Sequence, residues 1–155
     1  MFRIHALLAS LFVPLISLDA AGLGEHRALR IKADASPGFP CRVSLVDAEP
    51  GESLLLVHFT HHDVASPYRA SGPIFVREAA ATAQPAIGEV PLQLRRRLLS
   101  LRGYDAEGAR MRHADVVDGE SLADALATMF DDDGIACIHI HNARPGCYAT
   151  RATRA

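Results

Sequence analysis

Proline and glycine residues recur at short intervals along the whole chain and separate short apolar runs. There are 11 glycines and 9 prolines among 155 residues, and no internal repeat or low-complexity segment is present. Prolines and glycines spaced in this way favour short strands joined by turns, and most of the connections are too short for parallel crossovers. We therefore expect an α+β fold, with a largely antiparallel sheet of about seven or eight short strands and two or three helices packed on it.

Two hairpins are predicted from local patterns. Residues 41–46 alternate between apolar and polar side chains, as a half-buried strand does, whereas residues 53–59 are apolar on both faces and belong in the centre of a sheet. We expect these two segments to pair. A second hairpin is predicted from residues 98–104 and 111–117, which flank a turn at Gly108.

Short strands are also predicted at residues 2–4, 30–33 and 73–77, and three helices and two last strands are predicted as well. Residues 7–18 are expected to form a helix broken near Pro14, and Pro91 can open a short helix. The strongest amphipathic pattern consists of Leu122, Ala125, Leu126, Met129 and Phe130. Residues 135–142 and 147–153 form the last strands, and we expect a connection wider than a two-residue hairpin between them.

The apolar stretch at residues 6–18, behind Arg3, has some features of a secretory signal peptide. Pro14 interrupts the stretch, Asp19 lies beside the cleavage position, and the run is shorter than the roughly 20 residues that cross a bilayer. We therefore expect these residues to belong to the folded domain. The prediction is a cytoplasmic protein with reduced thiols and no membrane partner.

Composition limits the classes of function. The chain has 49% hydrophobic and 22% charged side chains and three cysteines, which is typical of one globular domain spanning residues 1–155. A disordered chain, a disulfide scaffold and a bulk membrane protein are excluded. The formal net charge of -2 argues against a nucleic-acid partner, because counterion release needs excess positive charge. Residues 95–97 are three arginines, which we interpret as a solvated basic turn.

Six segments together carry a family resemblance. They are residues 40–45 (PCRVSL), 66–68 (SPY), 72–76 (GPIFV), 101–105 (LRGYD), 139–142 (HIHN) and 146–148 (GCY). Their order and spacing resemble a bacterial family classified only as domain of unknown function 1203. The resemblance extends from Phe2 to Arg154 and implies that the start of the chain belongs to the domain, but it implies no activity.

The polar residues of these segments are the candidates for ligand binding. They are Arg42, Tyr68, Arg102, Tyr104, Asp105, His139, Asn142 and Tyr148. If they converge, they form an Arg- and Tyr-lined cleft suited to a small anionic metabolite with a carboxylate or phosphate. In the alternative, the arginines bond to carboxylates and carbonyls and tie the strands together. Our first hypothesis is a noncatalytic module that binds such an anion.

An enzyme that uses cysteine and histidine is the second hypothesis. Cys41 stands beside Arg42, and Cys147 follows a Pro-Gly pair, so both are candidate thiols. No third group that would orient a base is recognisable, and a packed thiol is the alternative for each. The sequence assigns no catalytic residue, and the oligomeric state stays open.

Cys137, His139 and His141 alternate along a predicted strand, so their side chains project from one face about 7 Å apart. With Cys147 on the next strand, they could surround a zinc ion. Zinc sites usually pair their ligands through knuckles such as C-x₂-C, which do not occur here. We therefore expect a structural role for these four residues and predict no metal ligand and no cofactor.

A second group of histidines lies at the end of a predicted strand. His58, His61 and His62 precede Asp63, and the adjacent imidazoles of His61 and His62 cannot face the same way in an extended chain. We expect this group to form a surface loop.

Overall fold

The protein, described by a computed structural model over residues 1–155, contains eight strands in two antiparallel sheets. The strands are Phe2–His5 (β1), Ala28–Lys32 (β2), Ser53–His62 (β3), Ala70–Arg77 (β4), Leu98–Tyr104 (β5), Met111–Asp118 (β6), Cys137–Asn142 (β7) and Tyr148–Arg154 (β8). One sheet has the order β1-β8-β7-β5-β6, and the other has the order β2-β3-β4. The predicted α+β class is confirmed.

The helices are short. They are Val13–Ile16 (α1), Ala20–Glu25 (α2), Leu92–Arg95 (α3) and Leu122–Met129 (α4), with 3-10 turns at Ala9–Leu11 and Gly119–Ser121. The amphipathic pattern correctly predicted α4, which buries Leu122, Leu126 and Met129. None of these helices has the length and hydrophobicity that crossing a bilayer requires.

The predicted strand at residues 41–46 is wrong, because this segment forms a turn in which Leu45 adopts a positive φ of 52°. Arg42 is buried together with Cys41 and Val43, so the apolar and polar positions do not separate into an inner and an outer face. The predicted hairpin partner, β3, instead lies between β2 and β4 and is the central strand of its sheet. The central position of residues 53–59 is therefore confirmed.

Both later hairpins form as predicted. β5 pairs antiparallel with β6, and β7 pairs with β8 across residues 143–147. β7 also pairs with β5, so that Arg102 lies opposite His139. This register sets which side chains share a face of the five-stranded sheet.

One face of the five-stranded sheet packs against α4. Leu99, Leu101, Ile138 and Ile140 are fully buried there, in one apolar cluster with Leu126 of the helix. Side chains alternate along a strand, so the opposite face carries the intervening residues of β5 and β7. These intervening residues are polar or aromatic, and they form the candidate site.

Candidate metal and ligand site

Histidine and tyrosine rings form a layer where the end of β3 meets the polar face of the five-stranded sheet. The histidine–tyrosine layer consists of His61, His62, Tyr68, Tyr104, His139, His141 and Tyr148. Neighbouring ring centroids lie between 4.2 and 6.5 Å apart. The layer joins the two sheets, and its members come from four separate parts of the chain.

A β-bulge in β3 brings His61 and His62 into this layer. The register shifts between Thr60 and His62, so His61 has no partner in β4. A bulge sets two residues of one strand against one of its neighbour and turns their side chains. Both rings consequently approach His139, with centroids at 5.9 Å for His61 and 4.7 Å for His62. The prediction of a surface loop here is wrong, because the bulge departs from the regular extended chain in which adjacent imidazoles point to opposite faces.

Three imidazoles of the layer converge on one point. His61, His139 and His141 each offer one ring nitrogen, and these nitrogens lie within 4.8 Å of one another. His61 Nδ1, His139 Nδ1 and His141 Nε2 are buried and have no hydrogen-bond partner. Buried polar atoms in native proteins are almost always partnered, so three unpartnered nitrogens in one place require an explanation.

Backbone carbonyls orient two of the rings. His141 Nδ1 lies 3.1 Å from the carbonyl oxygen of Gly146, and since a carbonyl can only accept, this nitrogen donates. The lone pair of His141 is thereby left on Nε2, which is buried and has no hydrogen-bond partner. Metal-binding histidines commonly donate their other ring nitrogen in this way. His62 Nε2 donates to the carbonyl of Gly108 at 2.8 Å.

Burial keeps the three converging imidazoles neutral. Desolvation, with the charges of His62 and other neighbours, lowers the pKa of His139 to about 3. Desolvation also lowers the pKa of His61 to about 4, with a further contribution from His62. The pKa of His141 likewise falls to about 4, mainly through desolvation and then through the charge of Arg102. Neutral imidazole is the form that binds metal ions, so at neutral pH no proton has to leave first.

Arg42 does not line a cleft. It is 1% exposed, and its guanidinium donates to the carbonyl oxygens of Tyr148, at 2.7 Å, and Pro40, and to Sγ of Cys147 at 3.0 Å. Desolvation lowers the pKa of Arg42, and the Cys147 thiol is the largest opposing influence. These contacts correspond to the network that the sequence left open as the alternative to anion binding.

Three neighbouring candidates on the β5 strand and its turn have different surroundings. Arg102 lies directly across from His139. Tyr104 stacks on His62 at 4.2 Å, and burial raises its pKa. Asp105 accepts from the backbone N–H groups of Ala109 at 2.8 Å and of Arg110 at 3.3 Å, so it stabilises the hairpin turn.

The other predicted ligand residues divide between the layer and its surroundings. Tyr148 stacks on His61 with centroids 4.8 Å apart, and burial raises its pKa. Tyr68 is 39% exposed and contacts the edge of Tyr104. Asn142 is buried and donates through Nδ2 to Sγ of Cys147 at 3.4 Å.

The thiols do not join the converging imidazoles. Cys41 is fully buried, and its sulfur accepts from backbone N–H groups of Ser44 and Arg77, as a packed thiol does. Cys137 lies opposite Tyr104, and burial raises the pKa of its thiol. Cys147 contacts Arg42. The third member of the cluster is therefore His61, which sequence reasoning missed.

A sequence signal for His61 existed but was incomplete. Three histidines within five residues at a strand end, and a second alternating pair at His139 and His141, are unusual in a chain with 8 histidines. Connecting the two groups requires knowledge that the end of β3 crosses β7. That contact is long-range, and no local pattern encodes it.

Comparison with known proteins identifies the family. The chain belongs to the family described as "Protein of unknown function (DUF1203)", which matches residues 38–154. The resemblance noted in the sequence is thereby confirmed over residues 38–154, a range that contains the whole histidine–tyrosine layer. No curated protein and no solved structure matches the chain.

Proposed function

We propose that this member of the family binds one divalent transition-metal ion through His61, His139 and His141. One pair of observations carries the proposal: His61, His139 and His141 offer ring nitrogens within 4.8 Å of one another, and each of the three rings has one buried nitrogen without a hydrogen-bond partner. Imidazole is a good ligand for zinc, copper, iron and nickel, and zinc is the first metal to test.

The spacing supports a metal of this size. Tetrahedral zinc with bonds of about 2.1 Å holds its nitrogens about 3.4 Å apart, within reach of small rotations of the three rings. Zinc sites with three protein ligands keep a fourth position for water or a small ligand, whereas structural zinc sites are usually closed by four. The expected centre is therefore an open one.

The competing explanation is that the rings only pack the two sheets together. Stacked and edge-to-face rings stabilise such contacts without a metal. His61 stacks on Tyr148 with an interplanar angle of 9°, which such packing also favours. In that case the three unpartnered nitrogens are an uncompensated cost of burial.

Equilibrium dialysis of the untagged protein against zinc separates the two explanations. We expect one tightly bound zinc per chain, its loss in His61→Ala, and its retention in His58→Ala, which changes an exposed histidine on the same strand. Circular dichroism confirms that each variant is folded. No bound zinc in the native protein, or full retention in a folded His61→Ala variant, would contradict the proposal.

A small anion bound at the open metal position is a second candidate, and Arg102 favours it. Arg102 lies opposite His139, its charge contributes to the lowered pKa of His141, and it has no carboxylate within 4.0 Å. This retains the predicted ligand class, a small carboxylate or phosphate, and among the predicted arginines it relies on Arg102 rather than on the buried Arg42. The cytoplasmic location expected from the sequence stays a prediction.

Cobalt(II) as a visible-light probe tests the anion. Formate added to the cobalt-loaded protein should shift its absorption bands at lower concentration than in Arg102→Met. Arg110→Met, at an exposed position of the β5–β6 turn, is the matched control. If the native protein and Arg102→Met required the same formate concentration for the shift of the cobalt bands, a role of Arg102 in binding would be ruled out.

A further inference from the structure

Arg42 is a buried cation without a carboxylate partner. It is 1% exposed, and none of the ion pairs in the structure includes it. A buried charge without compensation is costly. Among the three groups that accept hydrogen bonds from Arg42, two are backbone carbonyls, and Cys147 is the one that can become negatively charged.

A second donor reaches the same sulfur. Asn142 Nδ2 lies 3.4 Å from Sγ of Cys147, and Arg42 Nη2 lies 3.0 Å from it. Asn142 is 5% exposed, and its Oδ1 has no partner. A guanidinium and an amide N–H are therefore both placed to stabilise negative charge on this sulfur.

Cys147 opens onto a groove with excess positive charge. Cys147 is partly exposed and, together with Asn142, lines a cavity of about 940 Å³. The charged residues along this cavity are Arg95, Arg96, Arg97, Arg144, Asp118 and Glu120. Arg97 pairs with Asp47, so the interpretation of residues 95–97 as a wholly solvated turn is wrong for this residue.

The remaining arginines of the groove are free to bind a ligand. Arg95, Arg96 and Arg144 are exposed and have no carboxylate within 4.0 Å. Arg95 donates only to the carbonyl of Val90. Guanidinium groups recognise carboxylates and phosphates through paired hydrogen bonds.

We propose that Cys147 is a nucleophilic thiolate, and that the groove beside it binds small anions that carry an electrophilic carbon. In the covalent step, Sγ donates an electron pair to that carbon and an S–C bond forms. The bond from the carbon to its leaving group breaks, and the leaving group departs with its electron pair. No oxidant or metal takes part in this step.

Alkylation at pH 7 provides the first test. Mass spectrometry of peptides measures the rate at which each cysteine is modified. Iodoacetamide should modify Cys147 at least about tenfold faster than Cys137, because the thiolate is the reactive form. The rate ratio of iodoacetate to iodoacetamide should be higher for Cys147 than for glutathione, since the groove attracts the anionic reagent. Iodide is the leaving group in both reactions.

Substitutions separate the thiolate from the groove. Arg96→Ser together with Arg144→Ser should lower the iodoacetate preference toward that of glutathione and leave the iodoacetamide rate unchanged. Arg110→Ser, an exposed arginine outside the groove, should change neither. An unchanged iodoacetate preference in the double variant would overturn the anion site.

Ultraviolet absorbance tests the charge of the sulfur directly. The native protein should absorb more at 240 nm than Cys147→Ser at pH 7, because thiolates absorb there and thiols do not. Arg42→Met should lose this excess if it folds. Equal absorbance of the native protein and Cys147→Ser, or alkylation of Cys147 no faster than that of Cys137, would overturn the proposal.

Discussion

The rings of His61 and His139 meet at the boundary between the two sheets, with centroids 5.9 Å apart and an interplanar angle of 60°. Each ring keeps a buried Nδ1 atom that has no hydrogen-bond partner. One ring comes from a bulge in the three-stranded sheet, and the other comes from the centre of the five-stranded sheet. A metal ion at this point would join the sheets as well as satisfy the nitrogens.

Zinc should therefore raise the thermal stability of the protein. A ligand that binds only the native state adds about 2.7 kcal/mol when its free concentration is one hundred times the dissociation constant. Differential scanning calorimetry with and without zinc measures the change in Tm. His58→Ala should show the same rise as the native protein, and His139→Ala should show none. An equal rise in His139→Ala would locate the zinc elsewhere.

Acid should destabilise the metal-free protein. The folded-state pKa values of about 3 for His139 and about 4 for His61 and His141 lie below the ordinary value of 6.5. The unfolded chain therefore binds protons that the folded chain does not, and stability is fully present above pH 6.5 and falls as the pH approaches 4. Urea unfolding with a chelator present measures this loss. His61→Ala should show a shallower pH dependence, and an unchanged dependence would contradict the assignment.

Gly108 should be required for the packing of His62. Its φ is +65°, and a Cβ atom there would lie 2.9 Å from His62 Cε1 and from Val64 Cγ1. Gly108→Ala should lower the free energy of unfolding by about 1–3 kcal/mol through strain, with a further loss from these contacts. Gly88→Ala is the control, because Gly88 has a φ of +78° and open space around it. If urea unfolding showed the same loss of free energy of unfolding for Gly108→Ala and Gly88→Ala, the contacts of the added Cβ with His62 and Val64 would have no destabilising effect.

The apolar cluster under α4 should dominate the stability of the five-stranded sheet. Leu126 is fully buried in this cluster, whereas Leu29 is 59% exposed. Leu126→Ala should lower the free energy of unfolding by about 2–5 kcal/mol, because it leaves a cavity. Leu29→Ala should change it by less than about 0.5 kcal/mol. Denaturant titration measures the free energy of unfolding of both variants. Similar decreases for Leu126→Ala and Leu29→Ala would contradict the assignment of Leu126 to the core and of Leu29 to the surface.

Local patterns predicted the elements whose partners are close in sequence. The β5–β6 hairpin, the β7–β8 hairpin and helix α4 follow from turn residues and apolar spacing alone. The segment at residues 41–46 failed because Arg42 is buried on the face that alternation assigned to solvent. A guanidinium bonded to carbonyls far along the chain leaves no local signature.

Only part of the candidate site could be predicted from the sequence, because its third imidazole also depends on contacts between distant parts of the chain. His139 and His141 alternate on one strand, and the sequence placed them on a common face, as the structure does. The partners considered for them in the sequence were the thiols of Cys137 and Cys147, with a structural role expected. The third converging group is instead His61, whose position depends on a one-residue bulge and on the packing of one sheet on another. Neither feature follows from the spacing of residues.

X-ray absorption spectroscopy of the zinc-loaded protein tests the three-histidine centre most directly, because it reports the ligand atoms themselves. The account predicts three imidazole nitrogens at about 2.0–2.1 Å and no sulfur. Fewer than three imidazoles, or a sulfur ligand at about 2.3 Å, would contradict it and would return Cys137 or Cys147 to the list of ligands.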